Sequence, residues 1–578
     1  MRPSGPARPR RRLCAAALAG ALALAGCAQI PQSSPVRSGA PLDVGSRAAD
    51  APQFRPPGPA EDATAEQLVR GFAQAGIAPE DGYAIARQYL SAEASDGWEP
   101  DRGVVVYSGE PTVTRGLGEG TYEVQLEVES EVDEFGQRTM APPNTTQARE
   151  VTVEEVDGVL RITGVQDGVL LSRSQFAQLY APHPLYFFDQ SQAFAVPDVR
   201  WFVNRGTAVT ALTRALLRGP APYLTGAVAT AFPLRTGADL TGPSVPVAED
   251  GTAAVDLTGA TVDGADPARL SRMREQLERT LTGVSGVERV EVTVEGRSLT
   301  SSAPSGSVPS ARIGEDPGTV QVGVSDAGEL VFFQGLDAVP VGGLPSVADL
   351  GPEDPAMDRE RRRFVFLDRT RTVLHGVGTD GGEHRLLDGG RLTAPSLDSS
   401  GWAWTVDRAR SSRISVVRAD GSEPARVVTT PWLAEGESIV ALHIGPAGAR
   451  AALIVDDGQQ RTLRVAGVVR GGDGVPTALT PPVYIPTLDP PDDVEWMGDG
   501  SLVSTPLAPD AETRVRPEVV SLDGTSRQLN PLAGLTGISA REEGTLYAET
   551  AEDVFLLVGS SWRAQDVATP VHDLAFPD

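Results

Sequence analysis

The sequence predicts a multi-domain chain: two α+β domains followed by an all-β propeller of about six blades. Three observations carry this. Residues 62–180 open with helix patterns and pass into alternating strands. A second helix-and-strand unit follows over 200–300. Beyond 313 the helix patterns stop, and a strand, Gly-turn, strand unit recurs. The expected divisions are 1–26 (signal peptide), 27–61 (tether), 62–199, 200–299, 300–312 (linker) and 313–578.

The N-terminus has the form of an export signal. Arg2, Arg8, Arg10, Arg11 and Arg12 precede an apolar run from Leu13 to Ala25. Thirteen residues is too short to cross roughly 30 Å of hydrocarbon as a helix but suits a signal-peptide core. The run ends Leu24-Ala25-Gly26-Cys27, a lipobox pattern in which Cys27 would take a diacylglycerol. Ala28 to Ala60 follows without periodicity and with frequent proline, an extended tether.

In the first folded unit, Thr64-x-x-Gln67 is a capping box, with Leu68, Val69 and Phe72 on one face of the helix that follows. A second helix is expected from about Pro79 to Ala92. Tyr122, Val124, Leu126, Val128 and Val132 alternate with acids, a half-buried antiparallel strand whose wet face carries Glu127, Glu129, Glu131, Asp133 and Glu134. Asp157-Gly158 between apolar runs marks a hairpin. Helices followed by antiparallel strands suit a cone-shaped, nuclear-transport-factor-like fold. Such folds often hold a cavity, but no sequence cluster of polar groups furnishes one.

In the second unit, Thr207 to Arg218 reads as a helix closed by Gly219-Pro220. Asp266 is an N-cap with Pro267 at N1, and Leu270, Met273, Leu277, Leu281 and Val284 form a core-facing stripe. Val287 to Val294 reads as the last strand.

The repeat in 313–578 turns on Gly328, Gly401, Gly448, Gly500 and Gly544, with Phe364 to Val377 filling the gap after the first. Steps of 47, 52 and 44 residues from Gly401 onward match a four-stranded blade of about 40–50 residues. The closing segment Pro570 to Phe576 would complete the first blade and close the ring. Trp402 and Trp404 share one strand face and read as blade filling, with a stacked sugar platform as the alternative.

Composition excludes much chemistry. The chain of 578 residues has 50 basic and 77 acidic residues, net −27, and every basic residue is Arg. Without Lys there is no Schiff-base amine and no P-loop lysine. A net-acidic chain repels nucleic-acid backbones. The two cysteines, Cys14 and Cys27, both lie near the N-terminus, and none of the five histidines stands at metal-ligand spacing. The acids from Asp489 to Asp499 lack the order of a calcium loop and read as a solvated loop. No catalytic residue, cofactor or metal site is expected, and the chain is not expected to be an enzyme. Arg359, Arg361, Arg362 and Arg363 form a dense basic run, a candidate docking patch for an acidic partner or for phosphate groups.

Lipobox, tether, two α+β units and propeller, in that order, resemble the LpqB family of actinobacterial lipoproteins. Leu185-Tyr186-Phe187-Phe188-Asp189 and Val196-Pro197-Asp198-Val199-Arg200-Trp201 look like that family's joint between its first two domains. Leu216 to Pro220, Val255-Asp256-Leu257 and Leu281-Thr282 with Val287–Val294 look like a GerMN (sporulation and spore-germination) domain. The resemblance implies a lipid-anchored protein on the outer face of the cytoplasmic membrane. It also implies contact with the extracytoplasmic sensor region of the MtrB histidine kinase and tuning of MtrAB signalling. The rival expectation is an envelope-glycan binder without a signalling role, and a remote third is a hydrolase.

Overall fold

The structure, a computed structural model, describes residues 56–577 apart from 143, 205–206, 300–307, 315–316, 411, 509, 511 and 543–544. The signal, Cys27, nearly all of the tether and most of the expected 300–312 linker lie outside the described residues.

The first domain opens with helix α1 (Ala65–Ala75), whose Thr64 side chain accepts from the Gln67 backbone while Gln67 returns a bond to the Thr64 amide. Leu68, Val69 and Phe72 are buried beneath it. The expected second helix is broken. A 3-10 turn (Glu80–Gly82), a single helical turn (Ala84–Arg87) and α2 (Ala92–Gly97) replace it. Two left-handed residues, Asp81 and Tyr83, interrupt the spiral, and Leu90 instead bridges to Ile162 of the sheet. Tertiary pairing overrode the local helix pattern here.

The sheet comprises β1 (Gly103–Arg115), β2 (Thr121–Asp133), β3 (Arg138–Met140), β4 (Thr146–Val156), β5 (Val159–Val165) and β6 (Val169–Ser172). Its order is β5-β4-β2-β1-β6, with β3 on β2 and β6 parallel to β1. Along β2, Val124, Leu126, Val128 and Val132 are buried, as the alternation requires. Asp157 and Gly158 both take positive φ, the geometry of the two-residue turn joining β4 to β5. Helix α3 (Arg173–Leu179) follows, capped by Ser172.

A long hairpin then crosses between domains. Its strands β7 (Tyr180–Asp189) and β8 (Ala195–Val203) pair along nearly their whole length. Tyr180 and Trp201 pack in the first core, while Leu185, Phe187, Phe188 and Val196 pack in the second. The boundary expected at 199/200 therefore falls inside β8, an element shared by both cores.

The second domain holds α4 (Ala208–Arg218), β9 (Val228–Ala229), β10 (Thr252–Leu257), α5 (Pro267–Leu281), β11 (Arg289–Val294) and β12 (Arg297–Ser298). Asp266 caps α5, Pro267 stands at its start, and Met273, Leu277 and Leu281 are buried. Strands β10 and β11 pair in parallel, and β11 and β12 antiparallel.

The third domain is a propeller of six four-stranded blades, one of them extended by a fifth strand. Gly401 and Gly448, both at positive φ, sit at the turns between the first and second strands of blades 3 and 4, and Gly328, also at positive φ, at the turn between Gln321–Ser325 and Leu330–Gln334 of blade 1. The strand Val571–Ala575 pairs antiparallel with Gln321–Ser325, so the last strand completes blade 1 and closes the ring. Closure pairs a strand edge of blade 1 that would otherwise be free. Of the acids expected in a solvated loop, Asp492, Asp493 and Glu495 lie instead on the inner strand of blade 5, Pro491–Met497, where Asp493 and Glu495 face His443, while Asp489 and Asp499 flank it. Val494 and Trp496, buried apolar residues alternating with the acids, mark this strand.

Candidate interaction site

The three domains meet at β8. Asp198 and Arg200 are two residues apart on this strand, so their side chains share one face. Arg200 makes a bidentate pair, Nε to Oδ1 at 3.0 Å and Nη2 to Oδ2 at 2.7 Å. The remaining donors reach outward. Arg200 Nη1 donates to the Phe135 carbonyl of the first domain at 3.0 Å, and the Ala221 amide, just beyond α4, donates to Asp198 Oδ2 at 2.8 Å. Burial alone would depress the Arg200 guanidinium; the Asp198 charge and its hydrogen bonds outweigh burial and hold it above its ordinary value.

The propeller joins at the same strand. Buried Arg450 of blade 4 donates to the Pro197 carbonyl at 3.4 Å and to the Asp499 carbonyl at 2.6 Å, with its guanidinium over Trp496. Thr480 Oγ1 donates to the Tyr223 carbonyl of the second domain. Apolar contact continues between them: Phe188 and Leu224 share one core with Ile454, Val465 and Trp496. Buried polar groups that are fully paired fix one arrangement, because any other leaves a charge without partners.

Beside this joint the structure places the arginine run, and it divides it. The run is the turn between the strands Glu353–Met357 and Arg363–Leu367 of blade 2. Asp358 Oδ1 accepts the amides of Arg362 and Arg363, at 2.7 and 3.1 Å, which shapes the turn. Arg361 takes φ +57 and lies against Gly318, away from the rest. Arg359, Arg362 and Arg363 line a cleft of about 340 Å³ between the second domain and blades 2 and 3. Arg312, which the sequence does not group with them, completes it.

Phe194 organises one wall. The Arg312 guanidinium lies 4.3 Å from its ring centroid and that of Arg359 6.0 Å. Arg312 is fixed further by its own backbone, which exchanges hydrogen bonds with Ala193 and Ala195. Arg359 also donates to the Pro446 carbonyl at 3.2 Å, and Arg363 pairs with Asp420 at 3.0 Å. Arg362 is exposed. Ser399 and Ser400 supply exposed hydroxyls on the opposite wall. Asp398, at the floor, is neutralised by Arg470 at 2.7 Å and accepts a hydrogen bond from the Trp404 indole at 2.9 Å. The cleft can hold an anionic group, with Arg362 as the outermost cation.

The tryptophans do not form a sugar platform. Trp402 and Trp404 are 3% and 0% exposed and fill the blade core. The lipobox residues Leu24, Ala25, Gly26 and Cys27 lie outside the described residues.

Three family models match the chain in one order. They are the N-terminal domain of lipoprotein LpqB over 58–177, the sporulation and spore germination domain over 184–300, and the lipoprotein LpqB β-propeller domain over 328–577. The Lipoprotein LpqB of Streptomyces avermitilis is 26% identical across 97% of this chain and 97% of its own. That of Bifidobacterium longum is 27% identical across 80% of each. Among solved structures, TolB from Acinetobacter baumannii aligns at 11% identity over 45% of this chain and 66% of its own, with a TM-score of 0.33, too low to bear on the fold. With all three domains present in that order and relatives of one name matching almost from end to end, the chain belongs to the LpqB family of lipoproteins.

Proposed function

We propose that the chain is an accessory lipoprotein, without catalytic activity of its own, held by a diacylglycerol on Cys27 at the outer face of the cytoplasmic membrane. There it binds the extracytoplasmic sensor region of a histidine kinase of the MtrB kind and modulates two-component signalling and envelope homeostasis. The observation that carries the reading is the arginine cleft at the joint of the second and third domains. It gathers Arg312, Arg359, Arg362 and Arg363 on a chain whose net charge is −27. Exposed cations gathered on an acidic body select an acidic surface and speed its approach. Membership of the LpqB family supports the lipid anchor.

The test is calorimetric titration of a kinase sensor domain into residues 54–578. Saturable binding is expected, weakened by raising the salt from 50 to 300 mM, since exposed charges are screened within about 10 Å. Arg362→Glu should weaken it at least tenfold. No binding to the sensor domain, together with retention on cell-wall glycan, would transfer the function to the glycan reading.

A further inference from the structure

The first domain holds a cavity of about 440 Å³ between α1 and the sheet. Its walls include Phe72 of α1, Val104 of β1, Val124 of β2, Val151 of β4 and Val169 of β6, all of them buried. Protein interiors are packed to crystal density, with few voids larger than one water. Each Å³ left empty behind apolar walls costs about 24 cal/mol in large-to-small core substitutions. Water can occupy its charged side but fills the valine-lined side poorly, because each molecule needs two to four polar partners. A void of this size falls in the range of small-molecule sites, roughly 300–1,000 Å³.

Two donors on the wall bear on what fills it. Trp98 lines the cavity at 4% exposure, and its buried indole N–H has no acceptor among the described residues. Its ring is held in place by Phe72 and Tyr83 at edge-on distances of 5.2 and 5.9 Å and by the Arg87 guanidinium. Arg149, also on the wall, has a buried Nε–H without an acceptor, while its other nitrogens reach Gln166 and Glu131. A buried donor left unpaired costs about 1–3 kcal/mol. Charge limits the occupant further. Glu131, Asp133, Glu150 and Asp167 outnumber Arg102 and Arg149 along the walls, which disfavours a carboxylate.

We propose that this cavity binds an uncharged amphiphile, an aliphatic chain ending in an ester or alcohol oxygen, with the chain among the valines and the oxygen accepting from Trp98. The proposal rests on the cavity alone and is independent of the arginine cleft.

The test uses residues 54–578, which form one compact unit. N-phenyl-1-naphthylamine serves as an apolar fluorescent reporter, displaced by 1-monolauroylglycerol or by sodium laurate. Saturable dye uptake is expected, with monolauroylglycerol displacing it far more readily than laurate. Ala73→Phe, which projects a ring from α1 into the cavity, should weaken dye and monolauroylglycerol at least tenfold with the melting temperature retained. Trp98→Phe keeps a ring and removes the donor. It should weaken monolauroylglycerol about three- to tenfold and leave the dye within twofold. Absence of saturable uptake would overturn the site, as would uptake unaffected by Ala73→Phe. Displacement by laurate equal to that by monolauroylglycerol would overturn the uncharged class. Equal loss of dye and monolauroylglycerol in Trp98→Phe, or loss of neither, would overturn the hydrogen bond.

Discussion

Arg200 and Asp198 pair bidentately across one residue of β8, with their side chains 2% and 1% exposed. The relationship matters through its neighbours. The first domain supplies the Phe135 carbonyl to Arg200, and the second domain supplies the Ala221 amide to Asp198. Between the two charged residues' strand and the propeller, the Pro197 carbonyl accepts from Arg450. One strand of nine residues therefore carries polar contacts to all three folded domains. A partner that touches the arginine cleft meets a surface set by two domains in a fixed relation, because Arg312 and Phe194 come from one side and Arg359 and Arg362 from the other.

Breaking the pair should be costly. Arg200→Ala leaves Asp198 buried and charged, and removal of one member of a buried pair costs about 3–5 kcal/mol. The double substitution Asp198→Leu with Arg200→Met should recover part of that loss, since it leaves no buried charge. Urea denaturation followed by intrinsic fluorescence checks both. Arg200→Ala within about 1 kcal/mol of the parent chain would show that the joint does not depend on the pair.

The closing strand predicts a second outcome. Val571, Leu574 and Phe576 are buried, and the Leu574 amide donates to Glu549 at 2.7 Å. Each buried apolar side chain contributes roughly 1.5–3 kcal/mol. Deleting residues 569–578 should lower the melting temperature of the propeller far more than loss of ten exposed residues does. An unchanged melting temperature would mean that the ring does not rely on this strand.

The same seam sets a pH dependence. Burial pushes the Glu549 carboxyl up to about 7, and burial likewise pushes Asp354 up to about 6. Asp573 lies between them, its backbone amide donating to the Glu549 carboxyl and its carboxylate accepting the Asp354 amide. A carboxyl raised in the folded state contributes stability that is fully present below its unfolded value near 4.5 and is lost as pH rises through about 7. His572, held above its ordinary value by its bond to Asp573, acts in the same direction. The propeller should therefore melt at a higher temperature at pH 5.5 than at pH 8. Glu549→Gln, which keeps an oxygen for the Leu574 amide, should narrow that difference and stabilise the chain at pH 8 by up to about 3 kcal/mol, the equivalent of the shift at 1.36 kcal/mol per unit. Calorimetric scans at the two pH values decide it; an undiminished difference in Glu549→Gln would place the titration elsewhere.

Lipidation is tested by fractionation. Cys27→Ala should release the chain from membranes or block its processing. A processed Cys27→Ala chain still bound to membranes would contradict the anchor.

How much of this was legible depended on whether the signal was local. The Thr64 capping box, the Asp266-Pro267 start of α5 and the Asp157-Gly158 turn are each written within four residues, and each stands where the pattern puts it. The blades were legible because they repeat. The helix expected from Pro79 is broken, because Tyr83 turns left-handed and Leu90 pairs with Ile162, 72 residues further along the chain. The cleft was half visible. Arg359, Arg362 and Arg363 are adjacent, but Arg312 meets them only through the Phe194 ring, contributed by the hairpin of another domain. The cavity was invisible, since its polar wall is scattered: Arg102 precedes β1, Arg149 lies on β4 and Asp167 precedes β6. Asp198 and Arg200 did leave a signal. Opposite charges two apart inside an apolar strand must share a face, and buried there they must pair.

The most direct test of the proposed function is to ask which surface the kinase touches. A photo-crosslinking residue placed at Ser400, exposed on the cleft wall, and another at Glu552, exposed on blade 6, would each be irradiated with the sensor domain present. A crosslink from Ser400 that disappears in Arg362→Glu, with none from Glu552, is the predicted result. A crosslink from Glu552 alone, or none from either position under conditions where cell-wall glycan retains the chain, would contradict it.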